Sequence, residues 1–206
     1  MKKLILSVAL LATMAVSQAQ EQTKKKSFGI KSGLNYSTAT VKREFENSVS
    51  PRTSFYLGMY GNFKISNKVA FQPELVYSAQ GYSEKYTFLT SINRDTDVRL
   101  NYINVPFLFQ YQIMDKMYVE TGPQIGFVLS AKMDDTYFDS ATNTTEEFIN
   151  NDVKGETNSS IFSYSFGVGY DISSKLRANA RYNLGITQID KLYEISVINN
   201  LLQVGL

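Results

Sequence analysis

Phe162-Ser-Tyr-Ser-Phe-Gly-Val-Gly-Tyr-Asp-Ile172 and Leu176-Arg-Ala-Asn-Ala-Arg-Tyr-Asn-Leu-Gly-Ile186 decide how this chain folds. In the first stretch, Phe162, Tyr164, Phe166, Val168, Tyr170 and Ile172 hold one parity, and Ser163, Ser165, Gly167, Gly169 and Asp171 hold the other. In the second, Leu176, Ala178, Ala180, Tyr182, Leu184 and Ile186 alternate with Arg177, Asn179, Arg181, Asn183 and Gly185. Successive strand side chains point to opposite faces, so this period of two places every apolar group on one side. About ten residues is the length a tilted strand needs to cross a bilayer.

The same alternation, with more interruptions, predicts six further strands: about 28–40, 54–65, 69–81, 99–113, 117–132 and 195–206. Pro73, Pro106 and Pro123 fall inside three of them. Proline cannot donate to a ladder, so bulges or ladder gaps are expected in those strands. Ile65-Ser-Asn-Lys-Val69, Ile113-Met-Asp-Lys-Met117 and Ile172-Ser-Ser-Lys-Leu176 are three versions of one tight-turn pattern. The other connections, 41–53, 82–98, 133–160 and 187–194, are long and are expected to be loops. Short turns at one end and long loops at the other are the habit of outer-membrane barrels. With both termini at the short-turn end, the strand count is even.

The N-terminus reads as an export signal. Lys2 and Lys3 precede an apolar stretch from Leu4 to Val16, and Ser17-Gln18-Ala19 supplies small residues for cleavage. Residues 1–19 are therefore expected to be removed, leaving 20–206 as one barrel domain. Without Lys2 and Lys3, 21 Lys+Arg become 19, which balance 19 Asp+Glu. That neutrality argues against a nucleic-acid partner, which asks for a basic face. No later apolar run is long enough for a transmembrane helix, so a membrane-spanning mature chain must close as a barrel. There is no Cys and no His. Thiol chemistry, lipid attachment through Cys, the usual zinc ligands and the usual general base are all missing. No catalytic motif, metal site or cofactor is expected.

Alternation alone also suits a soluble lipocalin-like barrel, whose apolar face points inward. Two features favour the opposite arrangement. The polar face is rich in glycine, as a narrow crowded interior requires. The apolar face is rich in aromatics, from 14 Tyr and 13 Phe, many near strand ends, as interfacial girdles would be. The fold class expected is all-β: a closed antiparallel up-and-down transmembrane β-barrel of about eight strands in the outer membrane, in contact with its lipid.

The polar face carries Lys31, Lys64, Glu74, Glu120, Asp171, Arg177 and Arg181. Inside a barrel such charges must pair. Arg177 and Arg181 share one face of a strand, and Glu74 and Glu120 are the expected partners. This candidate network is either a selectivity constriction or a plug of ion pairs, and an eight-stranded barrel, barely wide enough for side chains, favours the plug. Segment 133–160 is acidic but matches no calcium loop, and is expected to be a solvated external loop open to a protein partner.

Several segments together resemble the PorT-type outer-membrane β-barrels, the porin-family barrels of Bacteroidota. The likeness rests on Phe28-Gly-Ile-Lys-Ser-Gly-Leu-Asn-Tyr36, Phe71-Gln-Pro-Glu-Leu-Val-Tyr77 and Asn101-Tyr-Ile-Asn-Val-Pro-Phe-Leu-Phe109. It rests also on Val119-Glu-Thr-Gly-Pro-Gln124, Phe166-Gly-Val-Gly-Tyr170 and Arg181-Tyr-Asn-Leu-Gly185. The resemblance implies an outer-membrane barrel and accounts for the strand prolines. Its namesake is linked to protein secretion across the outer membrane, with no motif that assigns that role to residues here. The chain departs from the pattern in stopping at Val204-Gly205-Leu206, where such barrels finish with an aromatic residue. The expected role is structural or interactive, as an accessory to secretion. The alternatives are a narrow passive porin and a soluble ligand-binding barrel.

Overall fold

The computed structural model describes residues 26–42, 47–88, 92–191 and 196–206. The expected signal peptide, 1–19, lies outside the described residues. Nine strands are described: β1 Lys26–Lys42, β2 Asn47–Lys64, β3 Val69–Phe88, β4 Ile92–Gln112, β5 Met117–Asp139, β6 Thr144–Asp152, β7 Ser160–Asp171, β8 Arg177–Gly185 and β9 Ser196–Gly205. Eight of them pair antiparallel in a ring, in which β1 bonds to β9 and β4 bonds to β5.

The three short turns close as their sequences require. Ile65 N donates to Val69 O, Ile113 N to Met117 O and Ser173 N to Leu176 O, at 2.9, 2.9 and 3.1 Å. In two of them a serine hydroxyl holds the bend. Ser66 Oγ accepts from the backbone of Lys68 and Val69, and Ser173 Oγ from that of Lys175 and Leu176.

The registers define the ring. Lys26 pairs with Phe63, then the path runs through Phe71, Phe109, Thr121, Phe166, Tyr182 and Leu202 and returns to β1 at Tyr36. The return lies ten residues beyond the start, Lys26 to Tyr36. That stagger over eight strands tilts each strand by about 40° to the axis. A membrane band ~25 Å tall then takes about ten residues per strand. β4 and β5 have 21 and 23 residues, so roughly half of each stands beyond the bilayer. β8 has nine and barely spans it. The barrel is therefore much taller on the β3–β4–β5 side.

The expected long loops are corrected here. Segment 82–98 is largely the upper parts of β3 and β4, paired from Tyr82↔Val98 to Phe88↔Ile92. Segment 133–160 is mostly strand: β5 continues to Asp139 and turns into β6, which pairs with it from Asp139↔Thr144 to Lys132↔Asp152, and only 140–143 and 153–159 are turn or irregular. β6 takes over as the neighbour of β5 above Phe127↔Ser160, the uppermost pair of β5 with β7. β1 and β2 likewise extend into 41–53; residues 43–46, 89–91 and 192–195 lie outside the described residues.

The three strand prolines produce ladder gaps without register shifts. Pairing is interrupted between Tyr60↔Glu74 and Phe63↔Phe71, between Pro73↔Phe107 and Val76↔Asn104, and between Pro106↔Gln124 and Phe109↔Thr121. Register shifts occur higher up, between Pro51 and Tyr56, at Asn101/Tyr102 and between Met133 and Asp135.

Candidate functional site

Parity places the polar residues of the lower half inside. Arg181 from β8 lies at the centre, its side chain only 1% exposed. Its Nη1 and Nη2 donate to Glu74 Oε2 and Oε1, both at 2.8 Å, in a two-pronged grip across the lumen. Its Nε donates to Glu120 Oε1 at 2.8 Å. Lys31 from β1 donates to both Glu74 oxygens, at 3.2 and 3.1 Å. Two cations and two carboxylates thus close a neutral cluster spanning β1, β3, β5 and β8. Burying any one of them alone would be very costly, so their mutual satisfaction is what allows all four to be dry.

Carboxamides complete the cluster. Gln72 Nε2 donates to Glu74 Oε1 at 2.9 Å and Gln110 Nε2 to Glu120 Oε2 at 3.0 Å. Asn62 Nδ2 joins those two glutamines, at 2.9 and 2.8 Å. A second polar layer follows, with Ser165 to Asn183, Asn183 to Gln203, Gln203 to Asn35, and Asn35 to Ser78. The glycines make room for this packing. A Cβ at Gly167 would stand 2.8 Å from Glu120 Oε1, and one at Gly169 would stand 2.1 Å from the Tyr118 ring.

Of the four residues singled out in the sequence, Glu74, Glu120 and Arg181 meet, and Arg177 does not. Arg177 lies two pleat repeats lower, its Nε 2.8 Å from Asp171 Oδ1 and its guanidinium over the Tyr118 ring at 5.4 Å. Four residues along one strand is over 13 Å, too far for both arginines to reach the same carboxylates. Lys31 and the Asn62–Gln72–Gln110 group were missed as partners of the network. Their parity was legible, but which strands faced one another across the lumen was not.

The upper lumen is different. Tyr82, Val98, Leu100, Tyr102, Val128, Ala131, Ile161, Ile189 and Val197 form a buried apolar cluster there. Outside it, the tall wall is laced by the ion pairs Arg52–Asp97, Lys85–Asp95 and Arg99–Asp134, while Arg94–Asp135, with the Thr96 hydroxyl, lies on the inward face above the cluster. Below, the outward face is apolar, with Ile30, Leu34, Phe55, Leu57, Met59, Phe109, Phe166 and Leu184 all exposed. Exposed apolar residues in this number are stable only against lipid.

A closed, tilted, eight-strand ring with an apolar waist, a polar packed lumen and short turns at one end is an outer-membrane β-barrel. Residues 18–191 match the family model described as outer membrane protein beta-barrel domain, and the chain belongs to that family. It is an outer-membrane protein. No curated protein matches it. Among solved structures it is similar to Neisserial surface protein A, at 14% identity over 88% of this chain and 97% of that one, TM-score 0.48. It is also similar to Ail, the attachment invasion locus protein of Yersinia pestis, at 13% identity over 89% and 98%, TM-score 0.40. OprG from Pseudomonas aeruginosa aligns at 9% identity over 88% and 93%, TM-score 0.39.

Proposed function

We propose that this protein is a plugged barrel with a structural and interaction role at the cell surface, and that it carries out no catalysis. The observation that carries this reading is the Lys31–Glu74–Arg181–Glu120 cluster, which joins four of the eight strands across the lumen. A conducting pore needs charged groups that water and ions can reach, whereas these side chains are 5% exposed or less. The surface offered to a partner is the tall wall of β3, β4, β5 and β6. Secretion across the outer membrane is the process we assign to it, on the resemblance of its segments to PorT-type barrels.

Single-channel recording of the refolded protein in planar bilayers tests the plug. Insertion without steady openings is the expected result. Steady openings whose size changes with Arg181→Ala would establish the narrow porin instead. A deletion strain tests the process: the expected change is in the set of secreted proteins, and an unaltered set removes the secretion role.

A further inference from the structure

The repeated turn pattern is not used by the plug. Each of the three turns carries a lysine at the same place, Lys68, Lys116 and Lys175. This is the short-turn end, which faces the periplasm in such barrels. Here the lumen opens as a cavity of about 330 Å³. Lys64 on β2 shares inward parity with Asn62, and it lines the cavity together with Lys68 from the turn and Arg177 from β8. The cavity ends blindly inward: Asn62 and Gln110 are hydrogen-bonded to each other at 2.8 Å, and Gln110 is tied to Glu120.

The charges inside are unequally matched. Arg177 lies against Asp171. Among the described residues neither Lys64 nor Lys68 is ion-paired, and with Asp115 also in the lining the cavity keeps one net positive charge. Ser66 also lines the cavity, and its hydroxyl oxygen accepts two backbone N–H groups, so its own proton is left to donate. Two unpaired ammonium groups beside the Ser66 hydroxyl and the Asn67 carboxamide suit one phosphate carried on a hydroxylated fragment. The volume is about that of the smallest organic-ligand pockets.

We propose that the periplasmic mouth of this barrel is a binding site for a phosphate monoester on a small hydroxylated carrier, held by Lys64 and Lys68. A phosphate monoester is anionic at neutral pH and presents three strong acceptor oxygens, enough for both lysines and the Ser66 hydroxyl at once. The source is either a free glycerol- or sugar-phosphate, or the headgroup of a phosphomonoester lipid in the inner leaflet.

The test is calorimetric titration of sn-glycerol 3-phosphate into the full chain in phosphatidylcholine nanodiscs, with glycerol as the neutral control. Saturable one-to-one binding is expected, weakening several-fold between about 50 and 200 mM salt as a partly exposed ionic contact does. The double variant Lys64→Gln/Lys68→Gln should weaken it tenfold or more. Lys154→Gln/Lys191→Gln, at the opposite end, should leave it unchanged. A heat-modifiable gel band confirms that each variant is folded. In discs containing phosphatidic acid, weaker glycerol-phosphate binding assigns the site to the lipid headgroup, and unchanged binding assigns it to a soluble ligand. Absence of saturable binding, or equal binding by the folded Lys64→Gln/Lys68→Gln variant, overturns the proposal.

Discussion

The lower and upper halves of the lumen are built on opposite principles. Along β4, Asn104 and Gln110 point in and Val105, Phe107 and Phe109 point out; higher on the same strand, Val98 and Leu100 point in and Asp97 and Arg99 point out. Parity is continuous, so only the chemistry inverts. The lower half has lipid outside and must store its polar groups within. The upper half has water outside and a conventional apolar core within. A membrane barrel and a soluble barrel are stacked on the same strands, near the level of the register shift at Asn101/Tyr102.

The contrast can be broken first at its most costly point. Arg181→Ala leaves Glu74 hydrogen-bonded to Lys31 and Gln72, and Glu120 to Gln110, with one cation for two buried carboxylates. Removing one member of a buried ion cluster costs about 3–5 kcal/mol. Urea unfolding in lipid vesicles should show a loss of that size.

Leu100→Ala, in the upper cluster, should cost about 2–4 kcal/mol through the cavity it leaves. Hydrogen exchange should rise in upper β3–β5 and stay slow in β7 and β8. Equal acceleration throughout would show that the two halves unfold as one.

The outward faces allow a cleaner comparison. Leu75→Arg places a cation against lipid and should cost about 2–4 kcal/mol near mid-bilayer. Lys85→Leu, ten residues up the same face, loses only an exposed pair with Asp95, worth at most about 1 kcal/mol. A gain in stability from Lys85→Leu would place the membrane boundary above Lys85, because a lipid-facing cation would then have been removed.

The smallest effect concerns the β5–β6 turn. Ala141 N–H and the Thr142 hydroxyl donate to the Asp139 carboxylate, at 2.9 and 2.8 Å, and hold its pKa below the ordinary value. A carboxyl depressed in the fold stabilises it above the unfolded pKa, and that gain is lost as pH falls through the folded value. Exchange of the Ala141 amide should quicken below about pH 4, once the pH-dependence of the chemical step is removed. Asp139→Asn should abolish this pH dependence.

The inversion also explains which parts were legible in the sequence. Strands 162–172 and 176–186 lie within the lower half, where apolar groups face lipid and glycine or polar groups face the lumen. Their alternation matched the template directly. Segments 82–98 and 133–160 read as loops because charged residues there fit no membrane strand, although Tyr82, Glu84, Thr96 and Val98 keep the inward parity of β3 and β4. β6, exposed along all nine of its residues, buries no face and so has no pattern to read.

In the candidate network, residue type and parity named Glu74, Glu120 and Arg181 and wrongly added Arg177. The error is one of height, since a strand reports which side a residue takes and nothing about its level in the barrel. By itself the amino-acid order determined the class of fold, the apolar waist, the tight turns and the need for charges inside to pair. Those follow from local periodicity and from the cost of burying polar groups. Which charges meet, how tall each wall stands and where lipid gives way to water were decided by closure of the ring. The ten-residue stagger brings β1, β3, β5 and β8 to one level, and that registry exists only when all eight strands are hydrogen-bonded to their neighbours.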